Sequence, residues 1–184
     1  MTIGLLFAGT VILFVAWSIL IYNRFIKLRT MVEEGWSGID VQLKRRANLI
    51  PNLIESVKGY MSHEKSLLSD VTELRTRSIE AKTVEDQSRV ESQLSQALAN
   101  VFAVAENYPD LKASSNFLSL QDQLAEIEDQ IQMARRYYNG TVRNLNIKVE
   151  QFPSNIVARV FHFVKAEFFE IEEPGDRAVP RVQF

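Results

Sequence analysis

From Thr2 to Tyr22 the chain carries no charge at all, in the run TIGLLFAGTVILFVAWSILIY. About 20 apolar residues are what a helix needs to cross the hydrocarbon core of a bilayer. The run therefore predicts a single transmembrane anchor over residues 1–23, with Leu5, Phe7, Ile12, Phe14, Trp17 and Ile21 facing lipid. Ala16, Trp17 and Ser18 loosely imitate the small-x-small cleavage site of a secretory signal. No basic residue precedes the run, however, and bulky Ile19 and Leu20 follow at once, which favours a retained anchor. Beyond the anchor, apolar residues recur at Phe25, Leu28, Val32, Trp36, Ile39, Leu43, Ala47 and Ile50, in the steps of three and four that mark a packed helix. No turn chemistry intervenes, so the helix is expected to continue out of the membrane. At about 1.5 Å per residue, Thr2 to Ile50 would reach roughly 70 Å.

Pro51 lacks an amide hydrogen and disfavours helical geometry at Ile50, which predicts a kink or restart there. Leu53, Val57, Tyr60 or Met61, Leu67, Leu68, Val71 and Leu74 then rebuild a stripe, with Gly59 its weakest position and an end near Ala81. Thr83 and Asp86 form a capping-box-like pair ahead of a helix marked by Val90, Leu94, Ala97, Val101, Val104 and Tyr108, which Pro109 ends. After a loop, Ser114 or Ser115 is placed to cap the most regular helix of the chain. Its apolar positions are Phe117, Leu120, Leu124, Ile127, Ile131, Ala134, Tyr138, Thr141 and Leu145, a heptad pattern that favours coiled-coil-like packing. Pro153 closes that helix, and a Phe-rich terminal segment follows with Val157, Phe161, Val164 and Phe168 on one stripe. Residues 172–184 contain Pro174, Gly175 and Pro180, the composition of a tail that ordinarily stays disordered.

The predicted architecture is all-α: an N-terminal transmembrane helix continuing into an antiparallel bundle of about four long helices over residues 24–171. A continuous coiled-coil stalk is the alternative, disfavoured by the breaks near Thr83 and Pro109. Composition changes this picture little. The chain has 184 residues, is 46% hydrophobic and has a formal net charge of −2, so no nucleic-acid footprint shows. With no cysteine, a disulfide, a thiolate nucleophile and a sulfur-ligated zinc site are excluded. Arg24, Lys27 and Arg29 flank the anchor on its carboxyl side, and by the positive-inside rule they put the rest of the chain in the cytoplasm.

Candidate chemistry is sparse. His63 and Glu64 adjoin, but the zinc-protease pattern needs a histidine where Leu67 stands. His162 is the other histidine and lies among aromatics without companion ligands. Neither a Gly-rich phosphate cradle nor a nucleophile elbow is present. Glu126, Glu128 and Asp129 fall off the apolar stripe and are expected on a solvated face or against Arg135. The glycosylation sequon at Asn139 lies within a helix. No catalytic residue, cofactor or metal is therefore assigned.

Lys44, Arg45 and Arg46 would suit an anionic lipid if they were close to the surface. A straight helix instead carries them roughly 30 Å out, several Debye lengths of about 8 Å from the headgroups. They are read as contacts to acidic residues on facing helices or subunits, with Asp40 placed for Lys44 at a spacing of four. Asp40, Gln42, Asn52, Asn116, Gln121, Arg135 and Asn139 flank the stripes and are read as buried polar contacts that set helix register. Phe161, Phe163, Phe168 and Phe169 form a candidate interface. It packs on protein or dips into a membrane interface, and the low basicity of the segment favours protein.

The motifs WSGIDVQLKRRANLIPNLIESVKGYMSHE from Trp36, YPDLKASSNFLSLQDQLAEIEDQI from Tyr108 and ARRYYNGTVRNLNIKVEQFPSNIVA from Ala134, with FFE at Phe168, resemble the LemA family of bacterial membrane proteins. Small departures are Gly35 in place of alanine, Gly140 in place of a better helix former and Leu145 in place of tyrosine. The resemblance implies a single-pass protein of the bacterial cell membrane, a helical bundle and no established enzymatic activity. It also implies association with membrane biogenesis, including magnetosome membranes, and gene neighbourhoods shared with membrane metalloproteases. The expectation is a non-enzymatic scaffold that contacts membrane lipid, forms a homo-oligomer with rings as one outcome, and organises a membrane patch or partner proteins. The alternative is an adaptor that presents clients to a membrane metalloprotease.

Overall fold

The computed structural model describes residues 2–170. The tail assigned to 172–184 lies outside the described residues. Those described form six α-helices and no strand: α1 (Thr2–Val57), α2 (Lys65–Glu80), α3 (Val84–Ala105), α4 (Pro109–Lys112), α5 (Ser115–Glu150) and α6 (Ser154–Val160). The all-α expectation holds. The described residues divide into two compact units, 2–38 with Ala134–Phe168 and 39–133 with 169–170.

The core of the second unit takes Ile50, Leu53 and Val57 from α1, Leu68 and Val71 from α2, Leu94, Leu98 and Val101 from α3, Leu111 from α4, and Phe117 and Leu124 from α5. Each fully buried side chain of this size contributes about 1.5–3 kcal/mol relative to exposure. On α5 the heptad positions Phe117, Leu120, Leu124, Ile127, Ile131, Tyr138, Thr141 and Leu145 are buried, and Ala134 is half-buried. Thr83 caps α3 as its spacing predicts: its backbone is extended, and its Oγ1 accepts the Asp86 amide at 3.1 Å.

Three expectations are corrected. Helix α1 does not restart at Pro51 but runs on through it to Val57. Proline at 51 removes the donor that would have satisfied the Ala47 carbonyl four residues back, and Arg75 Nε from α2 donates to that carbonyl at 2.6 Å. The break comes later, where residues 58–64 turn and α2 starts at Lys65. Met61 is buried there and Tyr60 exposed. Pro109 does not end α3, which stops at Ala105; it opens α4, where its missing amide costs nothing.

The Phe-rich segment, whose helical spacing of Val157, Phe161, Val164 and Phe168 predicts one terminal helix, is not one helix either. Helix α6 ends at Val160, and the Phe163 amide donates to the Ala158 carbonyl at 2.9 Å while the His162 amide reaches Arg159 at 3.4 Å. This is a Schellman cap, and it needs a left-handed residue just past the helix end, which His162 supplies with φ 57°. Residues 163–170 then leave helical geometry and run along α5. Asn146 grips them from both sides of its amide, donating to the Ala166 carbonyl and accepting from the Ala166 amide, each at 2.9 Å.

In the first unit, Phe25 and Leu28 of α1 meet Leu145 of α5, Val157 and Ala158 of α6, and Phe163. Nearby, α1 and α5 approach closely at Gly35, where an added Cβ would stand 3.1 Å from the Tyr138 Cα. Only a glycine fits that approach without movement.

Candidate functional site

Two regions carry the residues singled out in the sequence, one in each unit. The first is the amino-terminal half of α1. Its most apolar stretch has none of its length buried. Leu5, Phe7, Ile12 and Phe14 are exposed, whereas Trp17 and Ile21 are half-buried beside the aromatic core of the unit. Arg24, Lys27 and Arg29 are exposed immediately after the charge-free run, and Arg29 lies 3.8 Å from Glu33.

At that junction the aromatic rings gather. Phe163 stacks on Phe25 with centroids 4.6 Å apart, while Phe161 meets Tyr22 edge-on at 4.9 Å. The four phenylalanines of the candidate interface thus part company. Phe163 belongs to the core, Phe169 is buried, and Phe161 and Phe168 stay exposed. Further along α5, the Tyr138 hydroxyl donates to the Glu167 carbonyl at 2.9 Å and its ring leans on Trp36. Burial, with the Glu167 carboxylate as a second cause, pushes the phenol pKa above its ordinary 10.0.

The second region is a buried polar node around Arg46, which is 2% exposed. Its guanidinium donates to Glu91 of α3, to Ser95 Oγ at 2.8 Å and to Glu128 Oε2 of α5 at 2.6 Å. Glu91 in turn accepts from Ser78 of α2 and from Gln87 Nε2 at 2.6 Å, and Gln87 also donates to the Ser78 carbonyl. A desolvated cation is tolerated only with such partners. The node joins side chains from α1, α2, α3 and α5.

Of the three adjacent cations, then, only Arg46 enters the core. Lys44 is exposed and bonds Asp40 at 2.5 Å, and Arg45 donates to Gln42 at 3.0 Å. Glu128, expected on a solvated face or against Arg135, instead pairs with Arg46. Of the polar positions read as register-setting, Asn52 and Asn116 are exposed, a correction: each is turned to solvent rather than beside the stripe. Asp40, Gln121, Arg135 and Asn139 are half-buried. Glu91, Ser78, Gln87 and Arg75 were not singled out. A signal for the first existed, because Gln87, Glu91 and Ser95 repeat every four residues and form a polar line beside the Val90, Leu94 and Val101 stripe. Among the described residues, no group of three or more His, Asp and Glu side chains is arranged to hold a metal.

These features define an all-α protein in which, among the described residues, one helix is long and apolar enough to cross a membrane and continues past its apolar stretch to residues whose buried charges are bound to one another. The chain belongs to the LemA family, whose model matches residues 35–184. Among curated relatives it is 28% identical over 153 residues to Protein LemA of Metamycoplasma hominis, covering 82% of this chain and 69% of that one. It is 26% identical over 196 residues to Magnetosome protein MamQ 2 of Paramagnetospirillum magneticum, covering 92% of this chain and 72% of the relative. The corresponding identity with Magnetosome protein MamQ of Magnetospirillum gryphiswaldense is 22%, with the same coverage.

Proposed function

We propose that the protein is a single-pass, membrane-anchored helical scaffold that self-associates and organises a membrane patch or partner proteins without catalysing a reaction. The observation that carries this reading is the bare apolar surface of α1 before Arg24, which water would not tolerate and a bilayer would. Family membership adds support, since the resemblance to this family implies association with membranes and relatives of the chain are named as magnetosome proteins. In this reading the anchor fixes position, Arg24, Lys27 and Arg29 hold the bundle on the cytoplasmic face, and the Arg46 node keeps the bundle surfaces rigid enough to meet identical neighbours.

The test is extraction of the full chain from membranes in detergent, followed by mass measurement and electron microscopy. An assembly of several copies is expected. A strictly monomeric particle at high concentration rejects the scaffold, and release from membranes by alkaline carbonate rejects the anchor. Reporter fusions at either end measure the orientation.

A further inference from the structure

Outside the charge-free run, exposed large apolar residues are mostly scattered singly, as at Val41, Tyr60 and Ile79. The stretch from Phe152 to Phe168 is different: Phe152, Ile156, Val160, Phe161, Val164 and Phe168 are all exposed within it, Phe152 by 75% and Val164 by 76%. Helix α6 accounts for part of this concentration. It turns Ser154, Val157 and Ala158 inward, so Ile156 and Val160, four residues apart, share the outward face. Past the left-handed turn at His162, Phe163 points into the core and Val164 outward.

The position of this face is fixed by one residue. Phe161 lines a cleft with Phe14, Val15, Ser18, Ile19 and Tyr22, and almost all of its surface is apolar. All five partners belong to the charge-free run, and Phe14 lies two helical turns before Tyr22, about 12 Å along the axis. Whatever medium surrounds Phe14 and Ile19 therefore surrounds Phe161 as well. If that medium is the bilayer, the outward face of α6 meets it beside the anchor. The cations at Arg24 and Lys27 follow at the boundary, where an anionic headgroup layer would lie.

We propose that residues 152–164 form a second membrane-contacting element, a short helix and turn whose outward side chains Ile156, Val160, Phe161 and Val164 sit among phospholipid acyl chains in the interfacial layer next to α1. It rests on the reading of α1 as a membrane anchor and adds to it. The span holds the chain in the bilayer, and the α6 element grips the same leaflet, limiting tilt and rotation of the first unit, much as interfacial aromatic anchors do. The fold pre-forms the element through the Asn146 clamp and the Phe163–Phe25 stack, so little ordering is left for the membrane to impose.

The natural sequence has no cysteine, so single labels can be placed in the full chain directly. Val160→Cys, Phe161→Cys and Val164→Cys, each carrying a nitroxide, are reconstituted in vesicles of phosphatidylcholine and phosphatidylglycerol. Leu13→Cys in the run and Tyr137→Cys on α5 serve as references. Power saturation compares access to oxygen, which enters lipid, with access to a water-soluble nickel chelate. The expected result is loss of nickel access at 160, 161 and 164 with oxygen access retained, as at Leu13, while Tyr137 stays open to nickel.

Water-like access at 160 and 164 with Leu13 still lipid-like overturns the second contact and leaves the anchor standing. Water-like access at Leu13 removes the anchor reading and this one together. Exclusion of both probes at 160 and 164, with spin–spin broadening, means that a second copy covers the face, and it overturns the lipid assignment. Because Val160 and Val164 lie outside the core, their labels decide the outcome even where Phe161→Cys loosens the cleft.

Discussion

Helix α1 crosses Pro51 only because a neighbouring helix answers the carbonyl that the proline orphans, and this can be measured. Arg75→Met keeps most of the side chain's apolar stem and removes the donor from the Ala47 carbonyl, which it reaches at 2.6 Å. A hydrogen bond from a charged donor contributes about 1.5–3 kcal/mol, and since Arg75 is half-buried, so that water can partly replace it, the expected cost is about 1–2 kcal/mol. In a Pro51→Ala background the amide restored at position 51 satisfies the same carbonyl from within the helix. There Arg75→Met should cost about 0.5 kcal/mol or less, the level of an ordinary surface change. The double-mutant cycle therefore predicts a coupling of about 0.5–2 kcal/mol between two residues that need not touch. Urea unfolding of the four proteins in detergent, followed by far-UV circular dichroism, gives the terms from midpoint shifts at constant slope. Additivity within about 0.3–0.5 kcal/mol would refute the compensation.

Arg46→Met leaves two carboxylates facing each other without their cation, so it should cost about 3–5 kcal/mol, or about 6–20 °C in Tm for a chain of this size. Glu128→Gln should cost only about 1 kcal/mol, because that carboxylate is 34% exposed; equal losses in thermal melts would contradict the buried geometry. Gly140→Ala has open space at its Cβ and should stabilise by about 0.8–1 kcal/mol, whereas Gly35→Ala meets the Tyr138 backbone at 3.1 Å and should forfeit that gain. Equal melting shifts for the two would show that the α1–α5 approach is looser than described. Tyr138→Phe should cost about 1 kcal/mol at neutral pH through the lost Glu167 bond. Since the folded phenol pKa is raised above 10.0, its contribution is complete below pH 10 and is lost as pH rises through the folded value, so the gap to wild type should close in alkaline unfolding curves; a gap that widens there contradicts the shift.

What the sequence made legible is what depends on period and on local chemistry. The α5 stripe, the Thr83 cap and the charge-free run each follow from spacings within a few residues, and each is present. The misses have long-range causes. Pro51 breaks helices by a local rule, and only the approach of Arg75 from α2 overrides it. The apolar stripe of the Phe-rich segment continues past Val160 and no glycine or proline marks the end of α6; the left-handed position is filled by His162, a residue that adopts it uncommonly. Asn52 and Asn116 flank the apolar stripes in sequence, but a step of one residue around a helix, about 100°, is enough to turn such a side chain to solvent.

The sensitivity to that rotation gives the segment from Leu43 to Leu53 its role. It contains one cation that must be desolvated with Glu91 and one carbonyl that must find Arg75, and the two partners come from different helices. A slip of α1 by one residue in one direction would swing Arg46 about 100° away from Glu91 and offer Ala47 in its place, leaving a buried carboxylate uncompensated and an orphaned carbonyl at once; in the other direction Arg45 would face Glu91, but the Ala47 carbonyl would still turn away from Arg75. An apolar stripe tolerates such slips far better, since one aliphatic side chain substitutes for another at modest cost. The apolar residues thus supply the cohesion of the second unit, while Arg46 and Pro51, each costly by itself, select the one register in which both are satisfied.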